Sequence, residues 1–120
     1  MELKEIAGAM NFETVTGGAE LNIEINRGYV SDLLSDVIAN TQEGDLWITL
    51  QTHPNIAAVA GMKELSGIVI INGRRPEKET IDKAEDENIP ILVSDLPAFE
   101  VIGRLYKLGI TGMKSDAEGV

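Results

Sequence analysis

The chain contains a single histidine and no cysteine, so its chemistry rests on few side chains. His53 sits in the run Gln51-Thr52-His53-Pro54-Asn55, directly ahead of a predicted helix. The positive end of that helix disfavours an imidazolium and leaves a neutral ring able to donate or accept a hydrogen bond. Such a ring suits ligand binding, or general-base work if Asp32 or Asp95 orients it. Without a second histidine, a capping role in the turn is the plainer alternative. The second feature is Asn72-Gly73-Arg74-Arg75. Two guanidinium forks beside a glycine at a strand end suit an anionic ligand such as a phosphate or carboxylate. The competing role is ion pairing with Glu77, Glu79 or another acidic neighbour. The third feature is Asp32, Ser35 and Asp36, which read first as helix capping, because short oxygen-bearing side chains accept free backbone N–H groups. Asp32 and Asp36 also suit a hard cation, but magnesium sites of that kind lean on substrate phosphates as well.

The sequence carries no GxxxxGK[ST] phosphate loop, GxGxxG fingerprint, HExxH or GxSxG. The common nucleotide-hydrolysing, dinucleotide, zinc-protease and serine-hydrolase solutions therefore lack their signatures. Absence of cysteine removes thiolate zinc sites, iron–sulfur clusters, disulfides and a cysteine nucleophile together. No cofactor and no metal is expected, and the chain reads as non-catalytic.

The elements that must position these residues follow from hydrophobic pattern. From about Tyr29 onward, short β-branched runs alternate with helix-like segments, which predicts a parallel sheet covered by helices. Strands are expected at residues 28–31, 46–50, 67–71 and 91–94, the last three almost unbroken apolar as strands buried on both faces are. Leu33, Leu34, Val37 and Ile38 share one helical face, and Ala98, Phe99, Ile102, Leu105 and Tyr106 repeat the spacing. Residues 77–87 form a charged surface helix with a stripe of Ile81 and Ala84. Residues 56–65 are apolar nearly all round, which predicts full burial or cover by a second subunit, hence a homodimer. Pro54, Pro76 and Pro97 mark first helical residues. The N-terminal part reads as a helix with Leu3, Ile6, Ala7 and Met10 on one face, a Gly17-Gly18 turn, and an antiparallel edge strand in the alternating Leu21, Ile23 and Ile25. In open α/β sheets ligands bind beyond the carboxyl ends of the strands. The candidate ligand-binding residues are accordingly Asp32, Gln51, His53, Asn55, Asn72, Gly73 and Arg74.

At 120 residues and 43% apolar content the chain supports one domain, placed at residues 1–110, with residues 111–120 as a disordered tail. A formal charge of −10 and 4% aromatic content argue against nucleic acid as a partner. The start MELKEIAGAM has no basic region followed by an unbroken apolar run, and no stretch reaches membrane-spanning length, so a cytoplasmic protein is expected.

The run GYVSDLLSDVIANTQEGDLWITLQTHPNIAAVAGMKELSGIVIINGRRPEKETIDKAEDENIPILVSDLPAFEVIGRLYKLGI, residues 28–110, together with MELKEIAGAM, resembles the DRTGG domain family. The family's GDR and TGG stretches fall on Gly44-Asp45-Leu46 and Asn72-Gly73-Arg74, so the motif is half present. The resemblance implies a three-layer α/β/α sandwich similar to the N-terminal module of HPr kinase/phosphorylase. It also implies an accessory role in subunit assembly or effector sensing, as beside CBS domains in regulatory pyrophosphatases. The expected function is a regulatory or ligand-sensing domain that binds a small anionic metabolite or nucleotide. The alternatives are a purely structural protein–protein interaction module and a small enzyme with His53 as general base.

Overall fold

The computed structural model describes residues 1–113. The elements run α1 (Leu3–Met10), β1 (Glu13–Thr16), β2 (Gly28–Val30), α2 (Leu34–Asn40), β3 (Leu46–Thr49), α3 (Asn55–Lys63), β4 (Gly67–Ile70), α4 (Lys78–Asp86), β5 (Ile91–Val93) and α5 (Ala98–Lys107). The expected strands at 28–31, 46–50, 67–71 and 91–94 are present, each one residue shorter. Together with β1 these four form a five-stranded sheet in the order β1-β5-β4-β3-β2, parallel except for β1.

The strands bury alternate side chains on opposite faces, and two cores result. Leu46, Ile48, Val69, Ile71 and Leu92 meet α1 and α5 on one side. Trp47, Ile68, Ile70, Ile91 and Val93 meet α2, α3 and the end of α4 on the other. This is an α/β/α sandwich, as expected. Its asymmetry follows from handedness: successive right-handed crossovers that step in one direction across the sheet put their helices on one face. Only α1 and α5, outside that run, can cover the opposite face.

Several expectations need correction. The antiparallel edge strand exists, but it is Glu13–Thr16 and not the segment at Leu21, Ile23 and Ile25. That alternating segment lies across the start of α1, where its carbonyls accept the Leu3 and Lys4 amides at 2.8 and 2.9 Å. These are N–H groups that a helix leaves without internal partners, so the period of two here serves a helix terminus. The stripe of α4 is Thr80 and Ala84, with Ile81 only half-buried. In α5 the core face is Val101 and Leu105, and Phe99 and Tyr106 point outward. Leu33 lies outside α2 and is exposed, and Ile38 is also exposed. Pro54 and Pro97 stand one residue ahead of the helices they introduce and Pro76 two, a shift within the usual spread of helix ends.

The apolar helix at 56–65 packs between α2 and α4 with Ile56, Ala57, Val59 and Ala60 buried. Ala58 and Met62 alone of its apolar positions face outward, so the monomer accounts for most of its apolar character. Of the expected tail, residues 114–120 lie outside the described residues. Thr111 belongs to the body, its carbonyl accepting the Gly28 amide at 2.9 Å.

The β1–β5 pair slips register between Thr14 and Thr16, and Thr16 repairs the ladder with its side chain. Its buried hydroxyl donates to the Ile89 carbonyl at 2.6 Å and accepts the Ile91 amide at 2.9 Å. Gly17 follows at φ 72°, against the backbone of Pro90. Thr16→Val keeps the shape and strands both backbone groups, so it should cost about 2–3 kcal/mol in urea denaturation. The exposed Thr14→Val should stay within about 0.5 kcal/mol.

Candidate functional site

The rim at the carboxyl ends of the parallel strands is built around Asp32. This residue follows β2, and its Oδ1 accepts the Thr49 hydroxyl at 2.8 Å and the Leu50 amide at 2.7 Å. The sequence reading placed Asp32 at the α2 cap, whereas its carboxylate reaches across to β3. Ser31 closes a turn just ahead of α2, its hydroxyl accepting the Leu33 amide at 3.2 Å, and α2 itself carries no side-chain cap. The same loop is held twice more. The indole of buried Trp47 donates to the Ser31 carbonyl at 2.8 Å, and the Gln51 side-chain amide donates to the Asp32 carbonyl at 2.8 Å. The next loop is tied to α4, because the Thr52 carbonyl accepts the Thr80 hydroxyl at 2.7 Å and the Glu77 amide at 3.2 Å.

Asp32, Leu50, Gln51, Thr52 and Arg74 line a cavity of about 230 Å³ on this rim. Three of the expected site residues, Asp32, Gln51 and Arg74, therefore meet. Leu50 and Thr52 were not singled out in advance. The signal for them is position, since both lie within three residues of the end of β3, on either side of Gln51.

The other candidates have structural tasks. His53 Nδ1 accepts the Asn55 amide at 3.0 Å, which caps the exposed start of α3 and leaves both residues outside the lining of this cavity. This is the capping alternative of the sequence reading. Among the described residues, neither Asp32 nor Asp95 hydrogen-bonds to the imidazole, so the orienting contact a general base would use is not formed. Asn72 and Gly73 adopt left-handed backbone at φ 61° and 72°, and their amides donate to the Leu96 and Ser94 carbonyls at 2.9 Å. They close the β4 turn onto the β5 loop and thereby set where Arg74 emerges. Gly44, the other half of the motif comparison, lies ahead of β3 at the opposite end of the sheet. The two stretches do not form one site.

The paired arginines separate. Arg75 forms a bidentate ion pair with Glu13, at 3.0 and 2.8 Å, and not with Glu77 or Glu79. The chain has four arginines; Arg27 pairs with Asp45, Arg75 with Glu13 and Arg104 with Glu100. Arg74 is the fourth, and it has no ion-pair partner among the described residues. No three of the described His, Asp or Glu side chains are grouped to hold a metal ion.

Beside the rim, Asp36 accepts the Tyr29 hydroxyl at 2.9 Å and the Asn40 amide at 2.8 Å. The Ser31 hydroxyl, the Tyr29 phenol and Asn40 hold the Asp36 carboxylate below its ordinary value, and the Asp36 contact raises the phenol. A depressed carboxylate stabilises the fold above its unfolded value of about 3.9 and loses that contribution as pH falls through its folded value.

No protein-family model matches the chain, and no curated protein matches it. Among solved structures, it is similar to the CBS and DRTGG domains of the regulatory region of Clostridium perfringens pyrophosphatase, complexed with the activator diadenosine tetraphosphate. The TM-score is 0.73 at 20% identity, over 96% of this chain and 51% of that one. The fold is DRTGG-like, and the chain spans about half the length of that structure. No helix among the described residues is long and apolar enough to cross a membrane.

Tyr29→Phe should flatten the acid limb of the stability curve and move the Asp36 titration, followed by carboxyl ¹³C shifts, back toward the ordinary carboxylate range.

Proposed function

We propose that this chain is a non-catalytic regulatory or ligand-sensing domain that takes a small anionic group into the cavity between Asp32, Gln51 and Arg74, and that it works as a homodimer in the cytoplasm. The observation that carries the reading is Arg74, a guanidinium without an ion-pair partner among the described residues, on a rim whose other members are braced. A free fork of this kind matches phosphate or carboxylate geometry. The Gln51 amide nitrogen is engaged, which leaves its oxygen to accept, and Asp32 Oδ2 is a second acceptor. A ligand that suits this set carries an anion next to a hydroxyl or amino donor, as phosphorylated metabolites and nucleotides do. About 230 Å³ is below the roughly 300–1,000 Å³ of ordinary ligand pockets, so the cavity suits a headgroup with the remainder outside.

The structural likeness supports the class of function. The pyrophosphatase region is regulatory and binds a nucleotide activator, and that region combines two kinds of domain. The general-base alternative loses support from His53, whose Nδ1 caps α3.

A thermal-shift panel of inorganic phosphate, AMP, ADP, ATP and diadenosine tetraphosphate tests the reading. A ligand at about a hundred times its Kd stabilises by about 2.7 kcal/mol, a rise of roughly 10 °C for a domain of this size. Arg74→Ala should weaken binding about tenfold to a hundredfold, whereas Arg75→Ala, which removes a paired arginine, should leave it intact. Silence across the panel would contradict the proposal and favour a protein-binding module.

A further inference from the structure

We infer that the second copy in the homodimer packs antiparallel against α5, about a twofold axis near Ile102 and Gly103; this rests on the homodimer in the reading above and assigns its face. The helix carries two apolar stripes. Val101 and Leu105 are buried in the core, while Phe99 is 89% and Tyr106 61% exposed. Two aromatics that exposed on one short helix are unusual in an isolated soluble domain, because each forgoes a large burial energy. Between α5 and the edge strand β2 lies an apolar cavity of about 160 Å³, lined by Val30, Ile48, Ile102, Leu105 and Tyr106 among others. Val30 is itself 48% exposed on that edge.

The arrangement of these residues selects the occupant. Phe99 stands three residues before Ile102, and Tyr106 three residues after Gly103, so the stripe's spacing is symmetric about that midpoint. An antiparallel copy sets each Phe99 against the other's Tyr106, as a self-complementary twofold contact requires. Gly103 has open space within 4 Å of where a Cβ would stand, which allows the two helices to approach closely. Charge agrees: Glu100 lies at the start of the helix, where it pairs with Arg104 one turn on, and Lys107 stands at its end without an ion-pair partner among the described residues. Antiparallel packing brings the acidic start of each copy beside the basic end of the other, whereas parallel packing would align like with like. Strand pairing across β2 is the weaker option, because Thr111 already occupies the Gly28 amide.

The chain has no cysteine, so one introduced thiol reports without background. Sedimentation near 100 µM should give twice the 13.0 kDa chain mass. Gly103→Cys should form a disulfide-linked dimer under mild oxidation, and Ala58→Cys on the exposed side of α3 should not. Phe99→Glu should raise the dimer Kd about tenfold or more with an unchanged melting profile of the monomer. A dimer that persists in Phe99→Glu and cross-links through Ala58→Cys overturns this face and leaves the homodimer standing. A wild-type chain that sediments as a monomer at that concentration overturns both.

Discussion

The hydrogen bonds that converge on Asp32 hold the rim in place. A side chain on the loop after β2 accepts a hydroxyl and an amide from the end of β3, so two neighbouring strands cannot shift at their carboxyl ends without breaking both bonds. Trp47 and Gln51 fix the same loop through the Ser31 and Asp32 carbonyls. Three anchors, on the Asp32 carboxylate and on the Ser31 and Asp32 carbonyls, leave this loop little conformational freedom to lose. The cavity is thus braced by the chain itself, and Arg74 is its lining arginine without an ion-pair partner among the described residues.

Electrostatics decide which ligand such a rim can hold. The chain as a whole carries −10, a field that repels anions at long range. Physiological salt screens exposed charges beyond about 8 Å, so the local balance around the cavity governs binding once contact is made. There the pairing pattern matters more than the total. Asp45 is buried and satisfied by Arg27 and the Gln42 amide, and Glu13 is matched by Arg75. Among the described residues Arg74 is left as the arginine without an ion-pair partner, at the carboxyl ends of the parallel strands. This placement depends on Asn72 and Gly73, whose left-handed turn sends consecutive arginines in different directions.

Most of the fold was legible because buried parallel strands write themselves as apolar runs, and all four of those expected are present. The misreading of the edge strand comes from pairing between residues distant in sequence. Leu21, Ile23 and Ile25 have the alternation of a strand, yet their carbonyls meet α1. Glu-Thr-Val-Thr at 13–16 has little apolar signal, and its place in the sheet comes from Thr16 bonding Ile89 and Ile91 and from Gly17 meeting Pro90 across the chain. For the site, the rule that ligands gather at strand carboxyl ends nominates Asp32, Gln51 and Arg74, and these three line one cavity. That rule could not separate Arg74 from Arg75, because Glu13 lies 62 residues away. Nor could it show that His53 spends its acceptor on a helix start two residues on. Local polarity nominates residues, and long-range partners then remove some of them from service.

The most direct measurement is an amide ¹H–¹⁵N titration of the folded chain with inorganic phosphate and with AMP. The account predicts saturable shifts at Leu50, Gln51, Thr52 and Arg74, with the Trp47 indole responding through Ser31. Shifts centred instead on Gly44 and Glu64 at the opposite end of the strands, or none at millimolar ligand, would contradict it.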